Sequence, residues 1–212
     1  MRIQMFTLGD WQTNCYVAHV DGASECVIFD VGFEPESMLN WIAERQLKPE
    51  AILLTHAHLD HIGGVDQALS RFGPMQLAIH EAEGEFCGNP MLNLSALLGW
   101  EVTCTRPNIL LKHGDTVAHG GMTFRVLHTP GHSPGGVTYV HEPSHQAVVG
   151  DTLFKDGIGR FDFPTSDVRL LRRSVRETLM QLPDETRIYP GHMDATTIGR
   201  ERRQNPYVVN GF

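Results

Sequence analysis

Four side chains able to bind a metal ion fall within six residues: His56, His58, Asp60 and His61, in the stretch T-H-A-H-L-D-H from Thr55 to His61. Such groups are expensive to bury unless they find partners, and an ion accepts imidazole and carboxylate alike. In an extended segment, residues two apart point to the same side, so His56 and His58 can share one ion. Asp60 and His61 lie beyond them, where Gly63-Gly64 lets the chain turn closely into the next element. They project toward a neighbouring position. Four ligands from one short loop suit two adjacent ions better than one, because zinc favours about four ligands. Catalytic pairs of ions sit roughly 3.5–4 Å apart.

The remaining ligands must come from other strand-end loops. His132 follows Thr129-Pro130-Gly131, Asp151 ends the strand-like run Ala147-Val148-Val149-Gly150, and His192 follows Tyr189-Pro190-Gly191. The expected arrangement puts His56, His58 and His132 on one ion and Asp60, His61 and His192 on the other, with Asp151 bridging. The other seven histidines (His19, His80, His113, His119, His128, His141 and His145) read as structural or exposed. His128 is a candidate outer group beside His132.

The elements that must carry these loops can be read from periodicity. Arg2 to Leu8, Asn14 to Val20 and Cys26 to Phe29 read as strands, with a turn at Asp21-Gly22. Glu36 to Gln46 and Val65 to Phe72 read as helices, the second ended by Gly73-Pro74. Ala51 to Leu54 is a short buried strand leading into the histidine loop. Glu81 to Trp100 reads as helical or irregular, and its apolar residues suit a lid, a subunit surface or a buried helix pair. Met122 to Leu127, Val137 to His141, Ala147 to Val149 and Arg187 to Tyr189 return to strand. Asp167 to Leu182 is a helix with Val168, Leu171, Val175, Leu179 and Leu182 on one side, and Thr197 to Gln204 is a last helix. Two segments, Phe124 to His132 and Thr186 to His192, are both a strand running into Pro-Gly-His. Strands in runs and strands alternating with helices together imply a layered α/β domain with mixed sheets. No linker interrupts the 212 residues, so a single domain over 1–212 is expected.

Bulk properties narrow the function. A net charge of −8 lacks the electrostatic footprint of a nucleic-acid binder. Arg169, Arg172, Arg173 and Arg176 are close together and read as a solvated helix face. The opening residues contain no apolar core of signal-peptide length, and no run reaches membrane-span length. Cys15, Cys26, Cys87 and Cys104 are scattered and read as reduced thiols, so a cytoplasmic location is the expectation.

T-H-A-H-L-D-H, T-P-G-H-S-P-G, V-V-G-D and Y-P-G-H together resemble the metallo-β-lactamase superfamily. Phe29-Asp30-Val31-Gly32 is similar to that family's first motif, whose aspartate supports the histidine loop. The resemblance covers nearly the whole chain. It implies a four-layer αββα sandwich, with two mixed β-sheets flanked by helices and metals at one sheet edge. Within the family, Asp156-Gly157-Ile158-Gly159-Arg160-Phe161-Asp162 resembles the loop of the glyoxalase II group, the hydroxyacylglutathione hydrolases. The tail Gly199 to Tyr207 is similar to that of short single-domain bacterial members. Arg160 falls where that group contacts the thiol half of the substrate; a local ion pair with Asp162 is the competing reading. Two-domain glyoxalase II enzymes carry most glutathione contacts on a further helical domain, and only twenty residues follow His192 here. The resemblance therefore implies the catalytic centre more firmly than glutathione specificity.

The activity so implied is hydrolysis of a thioester such as S-D-lactoylglutathione by a hydroxide bridging two divalent ions. Zinc is the first expectation, with iron or manganese acceptable to the same donors. Asp60 would hold the second ion and orient the water or take its proton. The expected partner is a small thioester, with no nucleic acid and no membrane. The rivals are a mononuclear-iron persulfide dioxygenase using His56, His132 and Asp151, and a lactone or phosphoester hydrolase on the same centre. A non-catalytic metal-binding module is the remaining alternative.

Overall fold

The computed structural model describes residues 1–210. They form two compact units: Met1–Leu111 with Val117–Thr123, and Lys112–Thr116 with the chain from Phe124 onward.

The first unit contains β1 (Arg2–Leu8), β2 (Thr13–His19), β3 (Glu25–Phe29), α1 (Glu36–Glu44), β4 (Lys48–Leu53), α2 (Leu59–Ile62), α3 (Val65–Phe72), β5 (Gln76–His80) and β6 (Ile109–Leu111). Its six strands form one sheet in sequence order. β1, β2 and β3 pair antiparallel, and β3 to β6 pair in parallel. The side-chain period of two decides which residues meet the helices. Cys15, Val17, Cys26, Ile28, Ile52, Leu54, Leu77 and Ile79 pack in one core with Met38, Leu39 and Ile42 of α1 and Val65 and Ala68 of α3. Parallel strands buried on both faces read as continuous apolar runs, as Cys26–Phe29 and Ala51–Leu53 do.

Residues 81–100 are not a helix pair. They form short 3₁₀ turns at Glu81–Glu83, Phe86–Gly88 and Ser95–Leu98. Buried Asn93 organises the segment, donating from its amide to the carbonyls of Phe86 and Val102 and accepting from the Ser95 N–H. Met91, Leu97, Leu98 and Trp100 are left exposed.

The remaining elements are β7 (Thr116–His119), β8 (Met122–His128), β9 (Val137–His141), β10 (Gln146–Gly150), β11 (Leu153–Phe154), β12 (Gly157–Ile158), α4 (Val168–Arg173), β13 (Arg187–Pro190), β14 (Thr196–Thr197), α5 (Ile198–Gln204) and α6 (Pro206–Val209). A second six-stranded sheet has the order β14-β13-β10-β9-β8-β7. It is mixed: β10 and β13 are parallel, whereas β8–β9, β9–β10 and β13–β14 are antiparallel. Leu127, Val140, Ala147, Val149 and Ile188 form its core with Leu171, Val175, Leu179, Leu182 and Ile198.

The helix expected over Asp167 to Leu182 is interrupted. Asp167 caps α4 by accepting from the Arg169 and Leu170 N–H groups, and the chain then widens into a π-turn at Ser174–Thr178 and tightens into a 3₁₀ turn at Leu179–Gln181. A π-turn inserts an extra residue into the helical register. Val168 is exposed, so the apolar side begins at Leu171 rather than at Val168. Arg169, Arg172, Arg173 and Arg176 are exposed, as a solvated face requires. All four cysteines are free and buried. No helix among the described residues is long and apolar enough to cross a membrane.

Candidate metal centre

In the first unit, β4 delivers the histidine loop and Asp30 holds it. Asp30 follows β3 in a left-handed conformation, φ 56°, which aspartate and asparagine tolerate better than most residues other than glycine. Its buried carboxylate accepts from the Thr55 N–H at 2.7 Å, the Thr55 hydroxyl at 2.7 Å and His61 Nδ1 at 2.8 Å. Thr55 has one hydroxyl proton, and Asp30 takes it. At 3.1 Å from His56 Nδ1, Thr55 Oγ1 therefore accepts, and His56 donates. One aspartate thus sets the tautomer of two imidazoles, turning the Nε2 lone pairs of both His56 and His61 away from it.

The rest of the loop is equally fixed. Asp60 Oδ2 accepts from the Thr13 hydroxyl at 2.8 Å and stands 3.5 Å from His61 Nε2. Two atoms bound tetrahedrally to zinc are about 3.4 Å apart, given bonds of about 2.1 Å. The spacing is therefore that of two ligands on one ion. The fully buried Glu83 accepts from the Ala57 N–H at 2.7 Å, between the first two histidines. The His56 ring centroid lies 4.6 Å from that of His58 and 4.0 Å from that of His61.

The second unit, by itself, has His132, Asp151 and His192 after the ends of β8, β10 and β13. His132 Nδ1 donates to the Arg160 carbonyl at 2.7 Å, which leaves Nε2 as its lone-pair nitrogen. Asp151 Oδ2 is 3.5 Å from His132 Nε2 and also 3.5 Å from His192 Nε2. By the same spacing, this oxygen can share an ion with either imidazole, as a bridging ligand would.

Glycines make this approach possible. A Cβ on Gly159 would overlap the Asp151 carbonyl oxygen and lie 3.2 Å from the His132 Cβ. Gly131, at φ 134°, lies directly against the Leu171 backbone, where a Cβ would overlap it. In the second Pro-Gly-His, the Gly191 N–H donates to the Gly150 carbonyl at 2.9 Å and so ties the His192 loop to the residue before Asp151. The Ser174 and Ser166 hydroxyls donate to the carbonyls of Pro130 and His132, each at 2.7 Å. His128, expected near His132, bonds through Nε2 to the Pro134 carbonyl at 2.9 Å and holds the far side of the His132 loop.

For Arg160, the local ion pair is what the structure shows. Its guanidinium pairs with Asp162 and lies 4.5 Å from the Phe163 ring centroid. The hydrogen bond and the opposite charge hold the Asp162 carboxyl below the ordinary range. The contact Arg160 makes with the candidate ligands is through its carbonyl, to His132.

Thr13, Thr55 and Glu83 were not singled out from sequence. Thr55 opens the motif itself, as a hydroxyl ahead of H-x-H. Thr13 and Glu83 lie 47 and 26 residues from the groups they hold, and no spacing rule reveals them.

Five imidazoles and two carboxylates suit zinc, iron or manganese, and no thiolate is among them. Cys15 accepts from the Gly32 N–H at 3.1 Å behind Asp30, and burial followed by the Asp30 charge pushes its thiol well above the ordinary range.

The family model for the metallo-beta-lactamase superfamily matches residues 8–192. The probable metallo-hydrolase YqgX of Bacillus subtilis is 36% identical over 213 residues, covering 100% of this chain and 99% of that protein. The hydroxyacylglutathione hydrolase GloC of Haemophilus influenzae is 33% identical over 216 residues, with 98% of each chain covered. Among solved structures, the BLEG-1 B3 metallo-beta-lactamase matches with a TM-score of 0.94 at 40% identity, over 98% of this chain and 100% of that one. The di-iron-bound form of TTHA1623 matches with a TM-score of 0.82 at 36% identity, over 96% of this chain and 99% of that one. Two mixed sheets flanked by helices, an aspartate-braced H-x-H-x-D-H loop and a family match over most of the sequence lead to one conclusion: the chain belongs to the metallo-beta-lactamase superfamily, as a metal-dependent hydrolase.

Proposed function

We propose that the two units are halves of one hydrolase domain and that their donors close on a binuclear centre that cleaves a thioester such as S-D-lactoylglutathione. The observation that carries the binuclear reading is the Asp151 oxygen equidistant from His132 and His192. It is supported by three groups of potential ligand atoms, each within 4.8 Å: His56, His58 and His132; His56, His61 and Asp151; Asp60, His61 and His192. The thioester reading draws its support from the hydroxyacylglutathione hydrolase relative.

When bound, two divalent ions supply Lewis acidity and lower the pKa of a water between them toward about 7. The protein's own part is orientation. Asp60, held by the Thr13 hydroxyl, keeps a carboxylate in place to orient the water and accept its proton. Asp30 and Thr55 keep the lone pairs of His56 and His61 facing away from Asp30. No serine or cysteine nucleophile is required. Burial pushes the Cys26 thiol up to about 12, too high for a useful thiolate at neutral pH.

Zinc is the proposed metal, and iron is the second, since a relative of 36% identity holds two irons. Hydrolysis of a β-lactam is a second reading, favoured by the 40% identity to BLEG-1. Purified protein of known metal content, assayed on S-D-lactoylglutathione and on a β-lactam, separates them. The proposal predicts thioester turnover in excess. Lactam turnover alone would replace it with the second reading.

A further inference from the structure

Beside the histidine loop, the first unit contains a cavity of about 410 Å³ whose lining includes Trp11, Phe33, Trp100, Asp10, Glu34 and Glu36. That volume lies within the range of small-molecule sites, roughly 300–1,000 Å³. The rings stand nearly perpendicular to one another. Trp11 and Trp100 have centroids 6.5 Å apart at 87°, and Phe33 and Trp100 are 6.1 Å apart at 88°. No lysine or arginine lines the cavity. Among the described residues, none of the three carboxylates has an ion-pair partner.

This lining is held by the loops that brace the ligands. Trp11 is two residues before Thr13, which bonds Asp60, and Phe33 is three residues after Asp30, which bonds His61. Phe33 lies flat against Gly63, where a Cβ would come within 2.5 Å of its ring, and against Gly9, in the left-handed region at φ 59°. Glu34 is held at φ 54°, also left-handed. Phe33 and the Glu34 backbone are thus fixed in place, while Trp11, Trp100 and the three acids remain open to solvent.

Aromatic faces present negative potential to a cation, and nearby carboxylates add to it. A neutral apolar guest would gain from the rings alone, and an anion would be repelled by the acids. We infer that this cavity binds an organic ammonium group, an alkylated or protonated amine, seated against the contiguous rings of Trp11, Phe33 and Trp100 with Asp10, Glu34 and Glu36 as counter-charge. On the hydrolase reading it recognises an amine-bearing end of the substrate; that extension rests on the reading, whereas the binding does not.

Titration with choline, read by tryptophan fluorescence, tests the inference without any turnover. Two of the protein's three tryptophans line the cavity, so the signal reports on it directly. The control is 3,3-dimethyl-1-butanol, of the same shape but uncharged. Saturable binding of choline, about tenfold tighter than that of the alcohol, is expected. Trp100→Ala should weaken it about three- to fivefold, and the half-exposed Trp11 should behave likewise. The exposed pair Glu34→Gln and Glu36→Gln should erode the preference for choline over the alcohol. Equal binding of choline and the alcohol, no saturable binding, or indifference to both tryptophan substitutions would overturn the inference. A protein that binds choline but hydrolyses no thioester would retain the cavity and lose the proposed function; the reverse result would do the opposite.

Discussion

Gly159→Ala isolates how closely the loop after β12 must approach Asp151. The added Cβ would sit 1.7 Å from the Asp151 carbonyl oxygen and 2.9 Å from its carbonyl carbon. An ordinary C···O contact is about 3.3 Å, so one backbone must retreat by about 1.6 Å. His132 is 3.2 Å from the same Cβ, and its Nδ1 bonds the Arg160 carbonyl next along the chain, so retreat in either direction displaces a candidate ligand. A misplacement of about 1 Å costs about 100-fold in rate. Gly157→Ala is the matched control, because its Cβ would meet only Phe154 Cβ at 3.7 Å. Neither glycine has a left-handed φ, so the pair compares space and not backbone strain. The assay is kcat/KM for the proposed thioester alongside elemental analysis. Gly159→Ala should lose at least about 100-fold, or a bound ion, while Gly157→Ala stays within about twofold. Equal behaviour of the two variants would refute the argument.

Asp30→Asn keeps a residue tolerant of the left-handed backbone but cannot serve all three donors now facing it. Competition with a chelator should show metal affinity reduced about 10- to 100-fold, and denaturant unfolding should show a loss of about 2 kcal/mol. Gly131→Ala forces a Cβ into the Leu171 backbone at φ 134° and should lower the unfolding free energy by about 1–3 kcal/mol, whether or not metal is present. Cys15, Cys26 and Cys104 should resist a thiol reagent at pH 8 until the protein unfolds. Burial puts Cys26 near 12 and pushes Cys15 well above its ordinary range, and a hydrogen bond with Cys87, then burial, raises Cys104, so little thiolate exists at these three. Rapid labelling of native protein would contradict that.

Much of the candidate site was legible because its residues are local. His56, His58, Asp60 and His61 share one loop, and their spacing alone announces ligands. His132, Asp151 and His192 each follow a strand and a glycine, and Gly131 proved to be a position of close backbone approach, against Leu171. What stayed hidden depends on tertiary contact. Glu83 lies in an acidic stretch that reads as surface, yet it is fully buried against the Ala57 N–H. Trp11, Phe33 and Trp100 are far apart in sequence and meet only in the fold. The π-turn after α4 also escapes periodicity, since Leu171, Val175 and Leu179 are spaced as in an uninterrupted helix. β5 was missed although Gln76–His80 is apolar for most of its length, because it is short and follows Gly73-Pro74 directly.

The central claim is two metal ions serving hydrolysis. Its most direct test is elemental analysis of the purified chain combined with turnover of S-D-lactoylglutathione under an oxygen electrode. The account predicts two ions per chain, a kcat/KM above about 10⁴ M⁻¹s⁻¹ and no oxygen uptake. A single iron with oxygen consumption on a persulfide, or a fully loaded protein that turns over no thioester, would contradict it.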